Sequence, residues 1–235
     1  MKKLIFSLFI LMTGNFQLYP LGTYSEGWMI GKIIQFESRG LLFESYEGIL
    51  EYKLYDQSEK CDEDKDECFA PISKQIPFSV RPESTEAVNL LTGSINKELL
   101  LGFRIHRVEA LALSSDFEVT AALEQRSDPG QMEERMIVSK TGSKRNFSVA
   151  GKILKLEYSG TVVGTYEGLY LDESRGKIHP FSITDEKMAK YAWDAMKLNQ
   201  KFFMGISVAY AKGFRESNYD LFEINLKAPA GGVYK

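Results

Sequence analysis

The chain is poor in the side chains that most often carry catalysis: two histidines, two cysteines and two tryptophans among 235 residues. His106 sits between Arg104 and Arg107, and His179 precedes Pro180, with no partner set beside either. A Ser-His-Asp or Cys-His arrangement is therefore not expected. No Gly-x-Gly-x-x-Gly follows a first strand and there is no Walker loop, so dinucleotides and nucleoside triphosphates lack their backbone cradle and no cofactor is expected. Beyond Cys61 and Cys68, no clustered Cys or His supplies the two further ligands a zinc site needs. No apolar run approaches the roughly 20 residues that span a bilayer as a helix, so no integral span is expected in the mature chain.

What is abundant points to strands and tight turns: fifteen Phe, twelve Tyr and nineteen Gly, within 44% hydrophobic and 26% charged composition. At the N-terminus, Lys2 and Lys3 precede an apolar run from Leu4 to Met12 broken only by Ser7, the pattern of an export signal. Small residues suited to cleavage follow at Gly14, Gly22 and Thr23-Tyr24-Ser25, which places the signal within residues 1–25. No cysteine precedes Cys61, so a lipid anchor is not expected and the mature protein is expected in the periplasm, at the cell surface or secreted. Cys61 and Cys68 flank Asp62-Glu63-Asp64-Lys65-Asp66-Glu67, and in an oxidising compartment they are expected to form a disulfide closing this acidic loop.

An internal duplication organises the chain. Gly31–Leu50 aligns without a gap on Gly151–Tyr170, at an offset of 120, with eight of twenty positions identical. Pro77-Phe78-Ser79-Val80 matches Pro180-Phe181-Ser182-Ile183 at an offset of 103, which also sets Leu101–Ile105 over Met204–Val208. A single 17-residue length difference reconciles the two offsets, and it falls where the first copy carries the Cys61–Cys68 loop. The expected domains are residues 26–123 and 146–227, separated by a polar linker at 124–145 and followed by a loose tail at 228–235.

Both copies share one element order. Strands at Trp28–Phe36 and Leu42–Leu54, a short strand at Ile76–Val80, a helix at about Ser84–Ile95, and strands at Leu99–Leu111 and Phe117–Leu123 are expected in the first. In the second, Thr184 is the candidate N-cap of a helix that sets Met188, Ala189, Ala192, Trp193 and Met196 at helical spacing. Three strands, a helix and two strands is the order of the five-stranded OB barrel, so the expected fold is mainly β, two tandem OB-like barrels, with an SH3-like roll or an open α+β sheet as alternatives.

Tyr46-Glu47-Gly48 recurs as Tyr166-Glu167-Gly168, the most distinctive local feature. Tyr46, Glu47, Tyr166 and Glu167 could line a ligand-binding strand face. Alternatively the glycine marks a bulge and the glutamate pairs with a cross-strand Arg or Lys. Asp62, Asp64 and Asp66 alternate as calcium ligands do, but the glycine and late bidentate glutamate of such loops are missing, and a solvated acidic loop accounts for them. The first copy holds 10 Lys and Arg against 18 Asp and Glu, a net of −8; the second holds 11 against 10, a net of +1. Neither suits a polyanion, so nucleic acid is not an expected partner, whereas a cationic partner suits the first copy.

The run Gly-x-Ile…Gly…Ser/Thr-Tyr-Glu-Gly-x-Leu, with the Phe-Ser-Val/Ile step, a helix and two closing strands, resembles small bacterial proteins of undetermined function sometimes labelled 6-phosphogluconate dehydrogenase-like. Such proteins usually hold one unit, with Trp in place of Tyr46 or Tyr166 and an apolar-basic His-Tyr segment that Phe103–Arg107 and Ile206–Lys212 match loosely. The resemblance implies no catalytic residues, and the dehydrogenase label conflicts with the missing nucleotide fingerprint. The expected function is that of an exported, non-enzymatic binding or envelope-structural protein with a protein or glycan partner. The alternatives are a surface adhesin meeting host matrix or plasma proteins, and an envelope-polymer hydrolase using a carboxylate pair that includes Glu47.

Overall fold

A computed structural model describes residues 23–40, 44–56, 69–107, 113–139, 143–159, 164–211 and 213–228. The first repeat runs β1 (Thr23–Arg39), β2 (Ser45–Tyr55), β3 (Pro71–Val80), α1 (Thr85–Thr92), β4 (Glu98–His106) and β5 (Phe117–Leu123). After β6 (Arg135–Ile137), the second runs β7 (Ser143–Ser159), β8 (Thr165–Asp172), β9 (Lys177–Ile183), α2 (Glu186–Met196), β10 (Phe202–Ala209) and β11 (Tyr219–Asn225).

Pairing closes each repeat on itself. β1 is long enough to pair β4 along Thr23–Lys32 and β2 along Lys32–Arg39. β2 pairs β3, β3 meets β5 in parallel at Ser79 and Glu118, and β5 pairs β4. The circuit β1-β2-β3-β5-β4-β1 is that of the OB barrel. β7 to β11 repeat it, including the parallel contact between Ser182 and Asp220. Closure rules out an open sheet, and the equivalence extends to defects: β1 bulges between Ile33 and Gln35, and β7 between Ile153 and Lys155.

Alternating apolar residues fill two cores. One gathers Ile33, Leu50, Phe78, Leu91, Leu101, Phe103 and Val119; the other gathers Ile153, Tyr170, Phe181, Met188, Met204 and Ile224. The helices cap them with their apolar faces, Ala87, Val88 and Leu91 on α1 and Met188, Ala189, Ala192 and Ala195 on α2. The first helix is shorter than expected, ending at Thr92 with Gly93 as its C-cap, whose N–H donates to the Leu91 carbonyl. The second is capped one residue later than expected: Asp185, not Thr184, accepts from the Met188 N–H at 3.0 Å.

The barrels share one sheet. Ser25–Met29 of β1 pair antiparallel with Lys155–Ser159 of β7. At the centre of this junction Gly27 faces Glu157, and an added Cβ would lie 2.3 Å from the Leu156 carbonyl oxygen and 2.5 Å from the Glu157 Cα. Only glycine permits that approach. A second tie comes from the end of the segment that lengthens the first copy: Phe69, buried and at φ 76°, joins the second core, where its ring lies 4.6 Å from His179 and its carbonyl accepts from the Ile178 N–H. Residues 124–145 are also more than a polar linker. β6 pairs β11, Arg126 bridges Leu198, and the Tyr191 hydroxyl donates to the Glu133 carbonyl. Backbone groups along this stretch are thus satisfied by the second barrel.

Candidate functional site

The recurring Tyr-Glu-Gly step lies on the second strand of each barrel, paired with Phe36–Ser38 or Leu156–Tyr158 just beyond the bulge. Glu47 is 6% exposed and Glu167 4%, so each carboxylate must be satisfied internally. Ser45 and Ser79 donate to the two oxygens of Glu47 at 2.7 and 2.6 Å; Thr165 and Ser182 do the same for Glu167 at 2.7 and 2.6 Å. The loop before the last strand adds a backbone donor, the Ser114 N–H at 3.4 Å and the Glu216 N–H at 3.1 Å. The network continues as the Ser115 and Ser217 N–H groups donate to Ser79 and Ser182. Hydroxyls of Ser115 and Ser217 then donate to the Pro77 and Pro180 carbonyls. Each carboxylate therefore ties together the second strand, the third strand and the loop entering the fifth. Burial pushes the Glu167 carboxyl above the ordinary range, opposed by its hydrogen bonds from Ser182, Thr165 and Glu216.

This corrects the cross-strand-cation account of the step, since hydroxyls and N–H groups, not Arg or Lys, hold both glutamates. The bulge belongs to the neighbouring strand rather than to the glycine. Gly48 and Gly168 are required for a different reason: an added Cβ would lie 2.5 Å from the Gln35 carbonyl oxygen or 2.3 Å from the Phe181 ring. Tyr46 stacks on Phe36 at 5.6 Å, while Tyr166 joins Tyr158 at 5.1 Å and Trp193 at 5.4 Å.

The same strands line a cleft on each barrel. In the first, about 230 Å³ is bounded by Gln35, Glu37, Arg39, Glu47, Pro77 and Ser114. In the second, about 350 Å³ is bounded by the equivalent Lys155, Glu157, Glu167, Pro180 and Glu216, and also by Tyr52, Leu54 and Tyr55 of the first barrel. The larger cleft is thus built by both repeats. Glu157 binds Lys155 at 2.6 Å and accepts from the Ser25 hydroxyl at 3.0 Å. Burial, and secondarily Glu157, raises the Tyr52 phenol above its usual range, which keeps it a neutral donor. A third cleft of about 310 Å³, with Ile30, Lys32, Glu51, Asn96 and Glu98 on its walls, shares Tyr52.

The histidines do have partners, reached through the fold. His106 lies 2.5 Å from Glu118, which also takes the Arg81 guanidinium at 2.8 Å. His179 is buried against Phe69 and stacked on Tyr170 at 5.2 Å. Cys61, Cys68, Asp62, Asp64 and Asp66 lie outside the described residues, as does the N-terminal apolar run. Among the described residues, no group of three or more His, Cys, Asp or Glu could hold a metal, and no helix is long and apolar enough to cross a membrane.

No curated protein matches the chain. Solved structures that match include wild-type single-stranded DNA binding protein from Thermus aquaticus, 12% identical over 91% of this chain and 96% of that one, with a TM-score of 0.26. A deletion mutant of the same Thermus aquaticus protein is 11% identical over 90% and 97%, again with a TM-score of 0.26. Superposition that loose carries no argument; the OB assignment rests on the strand circuit. The model of a family described as Domain of unknown function (DUF8785) matches residues 22–128 and again residues 142–231, so the chain belongs to this family through both of its repeats.

Proposed function

We propose that this chain is an exported, non-enzymatic binding protein that holds a positively charged segment of a partner protein in the cleft between its barrels. The observation that carries the reading is the composition of that cleft: Tyr52 and Tyr55 from one repeat line it with Glu157 and Glu216 of the other, against a single cation among the described residues, Lys155, paired to Glu157. Aromatic walls offer area at little entropic cost, and carboxylates at the rim favour cations and set orientation. The net charge of −8 on the first repeat steers such a partner toward the cleft. Glu47 and Glu167 take no part in chemistry on this reading, because the hydroxyls around them make them fixed points of the framework.

The test is titration of the full chain with an oligolysine peptide, a glycan fragment of envelope polymer and a single-stranded oligonucleotide, read by tyrosine signals. Saturable peptide binding that weakens with salt, and falls at least tenfold in a Tyr55→Ala, Glu157→Gln double variant, is expected. A response to the glycan alone or the oligonucleotide alone overturns the assignment of partner. Export is checked by the mass of the protein recovered from its own cells: cleavage between residues 14 and 22, before the β1 residues Thr23–Ser25, is expected, and an intact Met1 refutes it.

A further inference from the structure

The junction between the barrels has a counterpart that, among the described residues, carries no strand. On β7, Lys155–Ser159 use one edge for β8 and the other for Ser25–Met29 of β1. The equivalent stretch of the first repeat, 120 residues earlier, is Gln35–Arg39. It pairs with β2 on one edge, the pairing of β1 with β4 stops at Lys32, and among the described residues no strand lies along its other edge. Gln35, Glu37, Ser38 and Arg39 are all exposed. The two stretches are built alike. Glu37 stands where Glu157 does, apolar Phe36 where Leu156 does, and each glutamate pairs with a cation two residues away, Arg39 or Lys155, at 2.7 and 2.6 Å.

A bare edge of backbone N–H and C=O groups is a template for another strand. The filled junction shows what this template accepts. The incoming strand runs antiparallel and sets Gly27 opposite the glutamate, where a Cβ is excluded by backbone. Two residues earlier Ser25 donates its hydroxyl to that glutamate, and one residue later Trp28 faces Leu156. The geometry points to Gln35–Arg39 as an acceptor for an extended segment of a partner protein, with glycine opposite Glu37, a hydroxyl residue two positions before it and a large apolar residue one position after. A second copy of this chain does not meet the requirement. Its Ser25–Met29 already carry β4 and β7, and the matching residues of β7 put Phe147 at the glycine position and Arg145 opposite Arg39.

The probe is a synthetic peptide with the sequence of residues 23–30, extended by two lysines for solubility and titrated into the isotope-labelled full chain. Expected are amide shifts and slowed hydrogen exchange confined to Gln35–Arg39, with Lys155–Ser159 unmoved. A Gly27→Val version of the peptide binds at least tenfold more weakly, as does the original peptide to a Glu37→Lys chain. Shifts at Lys155–Ser159, or none at all, overturn the proposal. So does a dimer in sedimentation whose Gln35–Arg39 amides are protected before peptide is added, since a second copy then holds the edge. Gln35–Arg39 do not line the cleft at Tyr52 and Tyr55, which takes Lys155 and Glu157 instead, so the outcome stands or falls apart from that cleft.

Discussion

Replacing Gly27 by valine tests the shared sheet directly. The atoms that a Cβ would strike, the Leu156 carbonyl oxygen at 2.3 Å and the Glu157 Cα at 2.5 Å, are backbone, so no rotamer change relieves the contact. The strands must part instead. Five residue pairs make the junction, which corresponds to about four or five backbone hydrogen bonds, and at roughly 0.5–1.5 kcal/mol each their loss weakens coupling between the barrels by about 2–7.5 kcal/mol. The chain supplies its own probes, because its only two tryptophans are Trp28 in the first barrel and Trp193 in the second. Urea unfolding followed in Trp28→Phe and Trp193→Phe backgrounds reports each barrel separately. With Gly27 intact the two curves coincide; with valine they separate by about 1–4 M, given a slope of about 2 kcal/mol/M for units of this size. Coincident curves with unchanged midpoints in the valine variant would refute the reasoning and show that the barrels are coupled elsewhere.

Glu167→Ala strips acceptors from Thr165, Ser182 and the Glu216 N–H and is expected to cost about 2–4 kcal/mol, measured by calorimetry, whereas Glu167→Gln keeps most of the geometry and costs about 1 kcal/mol or less. Because burial raises the folded-state pKa of Glu167, its contribution is fully present below the unfolded pKa and is lost as pH rises through the folded one. The wild type should therefore gain stability relative to Glu167→Gln as pH falls toward the unfolded-state value, and a gain in the opposite direction refutes the assignment. Phe69→Ala empties a site in the second core and is expected to cost about 3–5 kcal/mol in the second barrel's transition, with the first barrel little changed. Equal destabilisation of both would mean that Phe69 supports the first barrel instead.

The barrels were legible because duplication printed the same alternation, glycines and turn residues twice, and because one length difference located the extra loop. The Glu47 and Glu167 networks were half legible. The glutamates stood out, but their partners lie up to 67 residues away in sequence, from Glu47 to Ser114. A signal did exist: hydroxyl residues recur at Ser45 and Thr165, Ser79 and Ser182, and Ser115 and Ser217, at positions that an apolar-or-charged reading passes over. The pairing of His106 and Arg81 with Glu118 was hidden for the same reason, since β3, β4 and β5 meet only when the barrel closes. The junction was least legible. It is made chiefly by backbone groups, which every residue carries, and its strictest side-chain requirement, the absence of one at Gly27, looks like any other turn-prone glycine.

The junction is polar: the first barrel contributes the opening half of its long strand and the second the closing half of its own. Joining two subunits of a twofold dimer would have matched like with like, so this chain has the geometry of head-to-tail addition. A single unit carrying both halves of the contact has the means to add another in the same way, and in the second repeat Phe147 stands where Gly27 makes room in the first.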